Sequence, residues 1–115
     1  MRYQNLAVWQ RSRSLTIDVY KTLSHSKDFG FKDQITRSAL SVPSNIAEGF
    51  ERASTKETCR FLNIAVASLA EFLTQTDIGL NAGLIPVEKG SVWLSESKQL
   101  SLMVKAVILK LENLQ

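Results

Sequence analysis

The sequence predicts an all-α fold, an antiparallel up-down-up-down four-helix bundle formed by residues 1–115 as a single domain. Apolar residues recur at three- and four-residue spacing in four segments, which is the pattern of amphipathic helices. The connections between the segments are short, and short connections make neighbouring helices antiparallel. A chain of 115 residues with 44% hydrophobic content can fill one core. The predicted helices span about residues 6–24, 30–50, 54–82 and 86–113.

The first helix is predicted from a stripe of apolar and small residues, namely Trp9, Ser12, Thr16, Val19 and Leu23. Leu15 and Tyr20 broaden this stripe. Polar residues 25–28 (HSKD) then break the pattern. This break predicts the first connection of the bundle.

The second helix follows a stripe of six residues, Phe31, Ile35, Ala39, Val42, Ile46 and Phe50. Pro43 lies inside this stripe and removes one backbone hydrogen bond. Because the apolar register continues across Pro43, we expect a kink and no break, with Ser41 or Ser44 helping to satisfy the freed backbone groups. Gly49 is the predicted terminator of this helix.

The third helix is predicted to begin at Ser54, because Ser54 and Glu57 have the spacing of a capping box. Gly83 is its predicted stop. Two adjacent stripes indicate contacts with more than one neighbour; they are Leu62, Val66, Leu69, Leu73, Thr76, Leu80 and Phe61, Ala65, Ser68, Phe72, Gln75, Gly79.

The fourth helix follows the turn Leu84-Ile85-Pro86, with Pro near its first position. Its main seam is Leu100, Val104, Val107, Leu111 and Leu114. Further apolar residues spread around the helix, namely Leu102, Met103, Ile108 and Leu109. One bundle core cannot cover the apolar surface of the third and fourth helices, so we expect a homo-oligomer, a dimer or a ring.

The charge distribution indicates a candidate anion-binding surface. Net charge is +3, and residues 1–58 hold all of this excess, with nine Lys or Arg against six acids. Guanidinium groups grip phosphate with paired hydrogen bonds, so we expect weakly sequence-specific binding of RNA or DNA through phosphate contacts. The candidate residues are Arg2, Arg11, Arg13, Arg37, Arg52 and Arg60. The alternative is ordinary surface chemistry, because no nucleic-acid motif or aromatic-interleaved basic run is present.

A polar stripe occupies the second helix opposite its apolar stripe, formed by Arg37, Ser41, Asn45, Glu48 and Arg52. Three interpretations stay open: a solvated face with a Glu48–Arg52 pair, a subunit contact, or a nucleic-acid contact. Glu71 lies within the apolar third helix, where a buried carboxylate needs a partner. Arg37 or Arg52 is expected to supply it.

The sequence argues against catalysis and against cofactors. A di-iron bundle site needs a Glu-x-x-His on each of two helices, and His25 is the only histidine. A nucleophilic pair would require Cys59 to meet His25, with no orienting group evident. Trp9 and Trp93 are assigned to packing. No secretory signal or apolar run of membrane-spanning length is present, so we expect no membrane association and a cytoplasmic protein with a reduced, buried Cys59.

The stretch Gln34-x-x-Arg37-Ser38-Ala39-Leu40-Ser41-Val42-Pro43-Ser44-Asn45-Ile46-Ala47-Glu48-Gly49 resembles the signature of proteins encoded within intervening sequences of bacterial 23S rRNA genes. The resemblance continues through Leu6-x-Val8-Trp9, Arg52, Phe61-Leu62-x-Ile64-Ala65 and Ser68-Leu69-x-Glu71. Thr36 and Leu73 depart from it, where the family often has a basic and an acidic residue.

This resemblance implies a four-helix bundle that assembles as a homopentamer. A similar accessory protein of diversity-generating retroelements binds nucleic acid and a reverse transcriptase. The leading hypothesis is therefore a non-enzymatic, oligomeric, nucleic-acid-associated protein. Its rival is a structural protein-binding adaptor with no nucleic-acid role. Arginines clustered on one rim would favour the first, and arginines paired with Glu48, Glu51, Glu57 or Glu71 would favour the second.

Overall fold

Four helices form the protein in the computed structural model, which describes residues 2–114. They are α1 (Ala7–Thr22), α2 (Phe29–Phe50), α3 (Thr55–Asn81) and α4 (Val87–Glu112), preceded by a 3-10 turn at Tyr3–Asn5. Each helix packs against its neighbours in chain order, and α4 closes the bundle against α1. The extents are 46 × 21 × 19 Å. These contacts confirm the predicted all-α four-helix fold, and no strand occurs between residues 2 and 114.

The bundle has two unlike ends. The start of α1, the end of α4 and the α2–α3 connection lie at one end, which we call the terminal end. The α1–α2 and α3–α4 connections lie at the other, which we call the distal end. The helix bounds differ from the predicted ones by at most two residues, and the end of α2 at Phe50 agrees.

Local hydrogen bonds explain where the helices begin and end. The Asp28 carboxylate accepts from the Phe31 amide at 3.0 Å, and Ser54 Oγ accepts from the Glu57 amide at 3.1 Å. The Glu57 carboxylate bonds to Arg60, so only the serine half of the predicted capping box forms. Gly83 has φ 76°, and the Leu84 amide donates to the Gly79 carbonyl at 2.8 Å, which ends α3 as predicted.

The core runs along the whole bundle and contains the predicted stripes. Trp93 is fully buried beside Phe72, with ring centroids 6.1 Å apart, and its indole donates to Asp18 at 2.8 Å. Trp9 is half-buried and packs against both the core and Tyr3. The assignment of both tryptophans to packing is confirmed. The largest fully buried side chains include Ile35, Ile46, Leu62, Leu69, Leu100 and Val19.

Pro43 lies within an unbroken α2, as predicted. Proline cannot donate to the carbonyl four residues earlier, so the Ala39 carbonyl loses its helical partner. Thr16 Oγ1 of α1 lies 3.0 Å from the Ala39 oxygen and 2.8 Å from the Ser12 oxygen. The single hydroxyl hydrogen of Thr16 is shared between these two oxygens, so Thr16 is the side chain that reaches the freed carbonyl, and the expectation of Ser41 or Ser44 in this role is wrong.

Gly49 does not terminate α2, which continues to Phe50. A Cβ at Gly49 would lie 3.1 Å from both the Thr58 carbonyl oxygen and the Phe61 Cβ. Thr58 Oγ1 also donates to the Gly49 carbonyl at 2.8 Å. This glycine therefore serves close packing of α2 against α3.

Apolar side chains remain exposed on α3 and α4, although fewer than the sequence suggests. Met103 and Ile108 pack against the core, whereas Leu114, a predicted seam residue, is 76% exposed. The remaining exposed set on these helices is Ile64, Ile78, Val87, Val92, Leu102 and Leu109. No helix between residues 2 and 114 is both long enough and apolar enough to cross a membrane.

Candidate nucleic-acid interface

Positive charge concentrates at the terminal end of the bundle. Cut at the helix midpoints, the terminal half (residues 2–14, 40–67 and 100–114) carries eight Lys or Arg and four Asp or Glu. The distal half (residues 15–39 and 68–99) carries six and seven. The basic excess that the sequence places in residues 1–58 becomes, in space, an excess at one end. Of the six candidate arginines, all except Arg37 lie in the terminal half.

Two of these arginines flank a phenylalanine at the start of α3. The guanidinium carbons of Arg52 and Arg60 lie 4.8 and 4.5 Å from the centroid of the Phe61 ring. Cation–π attraction at such distances holds guanidinium groups over the ring. The ring therefore orients two guanidinium groups at the α2–α3 connection.

Both of these guanidinium groups also pair with carboxylates three or four residues earlier in the chain. Arg52 donates to Glu48 at 2.7 Å and Arg60 donates to Glu57 at 3.0 Å. The hydrogen bond and the charge of Glu57 raise the pKa of Arg60, and Arg60 in turn lowers the pKa of Glu57. All four side chains are about half exposed to solvent, where such pairs are weak and exchangeable.

Arg11 has a different role, because it bridges α1 and α4. Its Nε donates to Glu96 at 2.9 Å and its terminal nitrogens reach Glu96, Gln99 and the Met103 sulfur. The hydrogen bond to Glu96 raises the pKa of Arg11 against the opposing effect of burial. Arg11 is therefore a structural bridge more than a free phosphate-binding group.

The remaining three arginines are exposed. Arg37 donates to Asp33 at 3.1 Å, one turn away and in the distal half. Arg2 and Arg13 are exposed, and among residues 2–114 neither forms a salt bridge. The structure thus brings Arg52 and Arg60 together over one ring, whereas Arg11 and Arg37 pair elsewhere.

The predicted polar stripe on α2 is bonded within the chain. Ser41 and Ser68 share a hydrogen bond of 2.8 Å between α2 and α3, and the Asn45 amide donates to the Ser41 carbonyl and hydroxyl. Glu48 forms the predicted pair with Arg52. The Ser41 end of the stripe thus belongs to a helix–helix seam, and Glu48 and Arg52 form an exposed pair.

The expectation that Glu71 is a buried carboxylate paired with Arg37 or Arg52 is wrong. Glu71 is exposed on α3, while Arg37 and Arg52 pair with Asp33 and Glu48 on α2 itself. Glu71 lies off the core-facing side of α3, because both predicted apolar stripes of this helix lie on the same side of Glu71. An exposed carboxylate is solvated and needs no partner.

Cys59 and His25 lie at opposite ends of the bundle. Cys59 is near the start of α3 at the terminal end, and His25 is in the α1–α2 connection at the distal end. Burial, with a smaller effect of Glu112, raises the pKa of the Cys59 thiol. A thiol of this kind is a poor nucleophile.

The sequence could not reveal which aromatic residues accompany the arginines. Phe61 follows Arg60 directly, yet Arg52 reaches the same ring only because the α2–α3 connection turns back. Tyr3, far away in sequence, joins this surface through the 3-10 turn. Two arginines and two aromatic rings therefore meet in space, together with the paired carboxylates, although no such run exists in the sequence.

Comparisons with known proteins agree with this fold. The family model described as "23S rRNA-intervening sequence protein" matches residues 4–106. A crystal structure of a protein of unknown function from the S23 ribosomal protein family of Bacteroides thetaiotaomicron has a TM-score of 0.82 and 24% identity, covering 89% of this chain and 98% of that chain. At this identity the likeness supports the fold alone. No curated protein matches the sequence.

Proposed function

The chain belongs to the family of 23S rRNA-intervening sequence proteins, and from that premise we propose that it is a non-enzymatic, homo-oligomeric protein that associates with RNA through arginine–phosphate contacts at its terminal end. The observation that carries the proposal is the concentration of basic residues in the terminal half, eight against four acids. A positive surface attracts the phosphate backbone irrespective of sequence. The distal half, with six basic and seven acidic residues, offers no such attraction.

The ion pairs at this end are compatible with phosphate binding. Arg52 and Arg60 are 42% and 57% exposed, so a phosphate can reach their guanidinium groups from solvent. Exposed pairs contribute roughly 0–1 kcal/mol, which a charge-assisted bond to phosphate can offset. Phe61 keeps both groups oriented while they exchange partners.

Self-association is supported by the exposed apolar side chains of α4. Leu102 and Leu109 are 69% and 60% exposed and lie one heptad apart, hence on the same helix face. An apolar groove of ≈ 450 Å³ runs beside Leu102 between α3 and α4. Apolar surface of this kind is typical of subunit contacts, and a ring of five is the stoichiometry that we expect from the family resemblance.

Salt dependence tests the RNA contact. Replacing Arg13 and Arg60 with alanine should lower the slope of log affinity against log salt by one to two, because each duplex phosphate contact contributes about 0.9. A labelled RNA duplex is titrated at several salt concentrations against the wild type and this double variant. Arg11 is left intact because it bridges two helices.

The matched control replaces Lys27 and Arg37, two exposed basic residues of the distal half, and should leave the slope unchanged. Light scattering establishes the assembly that is titrated. A monodisperse monomer of 12.9 kDa would contradict self-association. Absence of binding to RNA or DNA at low salt by the assembled protein would contradict the nucleic-acid role.

One observation favours a second candidate, a protein-binding adaptor without a nucleic-acid role. Four of the six candidate arginines already pair with carboxylates of the same chain. Such pairing reduces the positive potential that phosphate would meet. A protein that assembles normally but binds no nucleic acid would support the adaptor.

A further inference from the structure

A pocket opens at the terminal end between the 3-10 turn and the outer surface of α2 and α3. Its volume is ≈ 480 Å³, and its lining includes Tyr3, Ser44, Asn45, Glu48, Glu51 and Phe61. This volume lies within the range of about 300–1,000 Å³ that small-molecule sites occupy. The pocket adjoins the Arg52–Phe61–Arg60 cluster because Phe61 belongs to both.

Flat groups form part of this pocket. The Tyr3 ring is held by Trp9 in an edge-to-face contact, with centroids 5.2 Å apart and an interplanar angle of 67°. The Phe61 ring carries the planar guanidinium groups of Arg52 and Arg60. Aromatic rings and guanidinium planes are the surfaces on which unpaired nucleobases stack.

The polar groups of the pocket select the chemistry of its ligand. Asn45 donates its amide hydrogens to the Ser41 carbonyl and hydroxyl at 2.8 and 2.9 Å, which leaves its side-chain oxygen as an acceptor. Glu48 and Glu51 add carboxylates, which accept hydrogen bonds and repel phosphate. The pocket is therefore rich in acceptors, the hydroxyl groups of Tyr3 and Ser44 can both donate and accept, and the guanidinium donors lie beside it on Arg52 and Arg60.

We propose that this pocket binds one unpaired nucleobase that carries an exocyclic amino group, as cytosine, adenine and guanine do. This inference rests on the proposed RNA association, and it specifies that single-stranded segments of the RNA are bound. The base stacks on Tyr3 and donates its amino hydrogens to Glu51 and to the Asn45 oxygen. The adjacent phosphates contact Arg52 and Arg60. Uracil is disfavoured because it presents carbonyl oxygens in place of the amino group.

Binding of labelled oligocytidine, oligouridine and an RNA duplex by the assembled protein tests this assignment. The wild type should prefer oligocytidine to oligouridine of equal length. Tyr3→Leu should weaken oligocytidine binding about fivefold or more, because stacking contributes about 1–3 kcal/mol per base. Duplex binding and its salt slope should stay unchanged. Tyr20→Leu is the matched control, since Tyr20 is exposed on α1 toward the distal end.

Glu51→Gln provides a second variant at an exposed position that leaves the core untouched. It should reduce the ratio of oligocytidine to oligouridine affinity, whereas Glu88→Gln at the distal end should not. Equal affinities of the wild type for the two oligomers, or equal effects of Tyr3→Leu and Tyr20→Leu, would overturn the base pocket while leaving phosphate binding intact.

The pocket also has a readout that is independent of polymer binding. Titration with CMP should shift the backbone amide resonances of Asn45 and Glu51 in nuclear magnetic resonance spectra more than titration with UMP does. If no polymer binds at low salt, the proposed function fails. The nucleotide titration then decides the pocket separately, and identical small shifts with CMP and UMP would overturn it.

Discussion

The contacts of α2 with its neighbours differ in kind from the contact that closes the bundle between α1 and α4. Short side chains connect α2 to both neighbours at close range. Ser41 meets Ser68 at 2.8 Å, and Thr16 lies 3.0 Å from the Ala39 carbonyl. Helices joined by such short groups must pack closely, as the space at Gly49 indicates.

Long charged side chains cross between α1 and α4. Lys89 donates to Asp18 at 2.7 Å, the Trp93 indole donates to the same carboxylate at 2.8 Å, and Arg11 reaches Glu96. A groove of ≈ 300 Å³ lies along this contact, and its lining includes Leu15, Val92, Arg11, Asp18 and Glu96. Partly exposed ion pairs here span a gap that apolar side chains do not fill.

This difference indicates which helix contacts contribute most to the free energy of unfolding. Close packing with buried hydroxyl bonds is insensitive to salt and intolerant of added volume. Exposed ion pairs tolerate substitution and weaken with salt. We therefore expect the α2 contacts to dominate the free energy of unfolding and the α1–α4 contact to respond to solution conditions.

The largest expected effect comes from overfilling the α2–α3 contact. Gly49→Val should lower the free energy of unfolding by roughly 1–3 kcal/mol, because the new side chain meets the Thr58 carbonyl and Phe61. Urea denaturation followed by circular dichroism measures it. Gly30→Val, in the exposed first turn of the same helix, is the control. Equal effects of the two variants would contradict close packing at Gly49.

The same comparison explains how much of the fold could be predicted from the sequence. Periodicity finds the α2 and α3 stripes because buried apolar residues dominate both helices, as at Ile35, Ile46 and Leu62. The apolar pattern also predicts correctly that α2 continues across Pro43. The role of Gly49 is missed because a glycine near a helix end has the same pattern whether it ends the helix or permits close packing.

The α1–α4 bridges and the candidate site depend on contacts between residues far apart in the sequence. Arg11 and Glu96 are 85 residues apart, and nothing local marks them as partners. Tyr3 and Phe61 share a pocket only because the 3-10 turn and the α2–α3 connection meet at one end of the bundle. At Glu71 the expectation of burial is wrong, because its neighbours in the sequence are apolar while its own side chain is exposed.

A smaller effect, a coupling energy of about 1 kcal/mol, is expected where α1 satisfies the carbonyl freed by Pro43. Thr16→Val removes the hydroxyl and leaves the buried Ala39 carbonyl without a partner, which costs about 1–3 kcal/mol. In a Pro43→Ala background, the new backbone amide at position 43 can donate to the Ala39 carbonyl within the helix. The cost of Thr16→Val should then shrink by about 1 kcal/mol. Thermal or urea unfolding of the four proteins measures this coupling, and additive effects would disprove it.

The smallest effect is expected at the α1–α4 contact, and solution conditions should reveal it. Burial opposes ionisation of Asp18, but hydrogen bonds from Lys89 and Trp93 and the charges of Lys89 and Lys21 outweigh it, so the pKa of Asp18 lies below its ordinary value. A lowered folded-state pKa contributes stability above the unfolded value of about 3.9. This contribution is lost as pH falls through the folded-state pKa.

Asp18→Asn should therefore lower the free energy of unfolding at pH 7 by no more than about 1 kcal/mol, because the Asp18 and Lys89 side chains are partly exposed. The difference from wild type should narrow as pH falls below the ordinary aspartate pKa, and it should narrow at pH 7 in high salt. Gly49→Val should respond to neither condition, which separates the two contacts. Asp77→Asn, an exposed carboxylate outside the contact, controls for general charge effects. An Asp18→Asn difference that is constant across pH and salt would show that Asp18 acts through packing, and the contrast between the two regions would then be wrong.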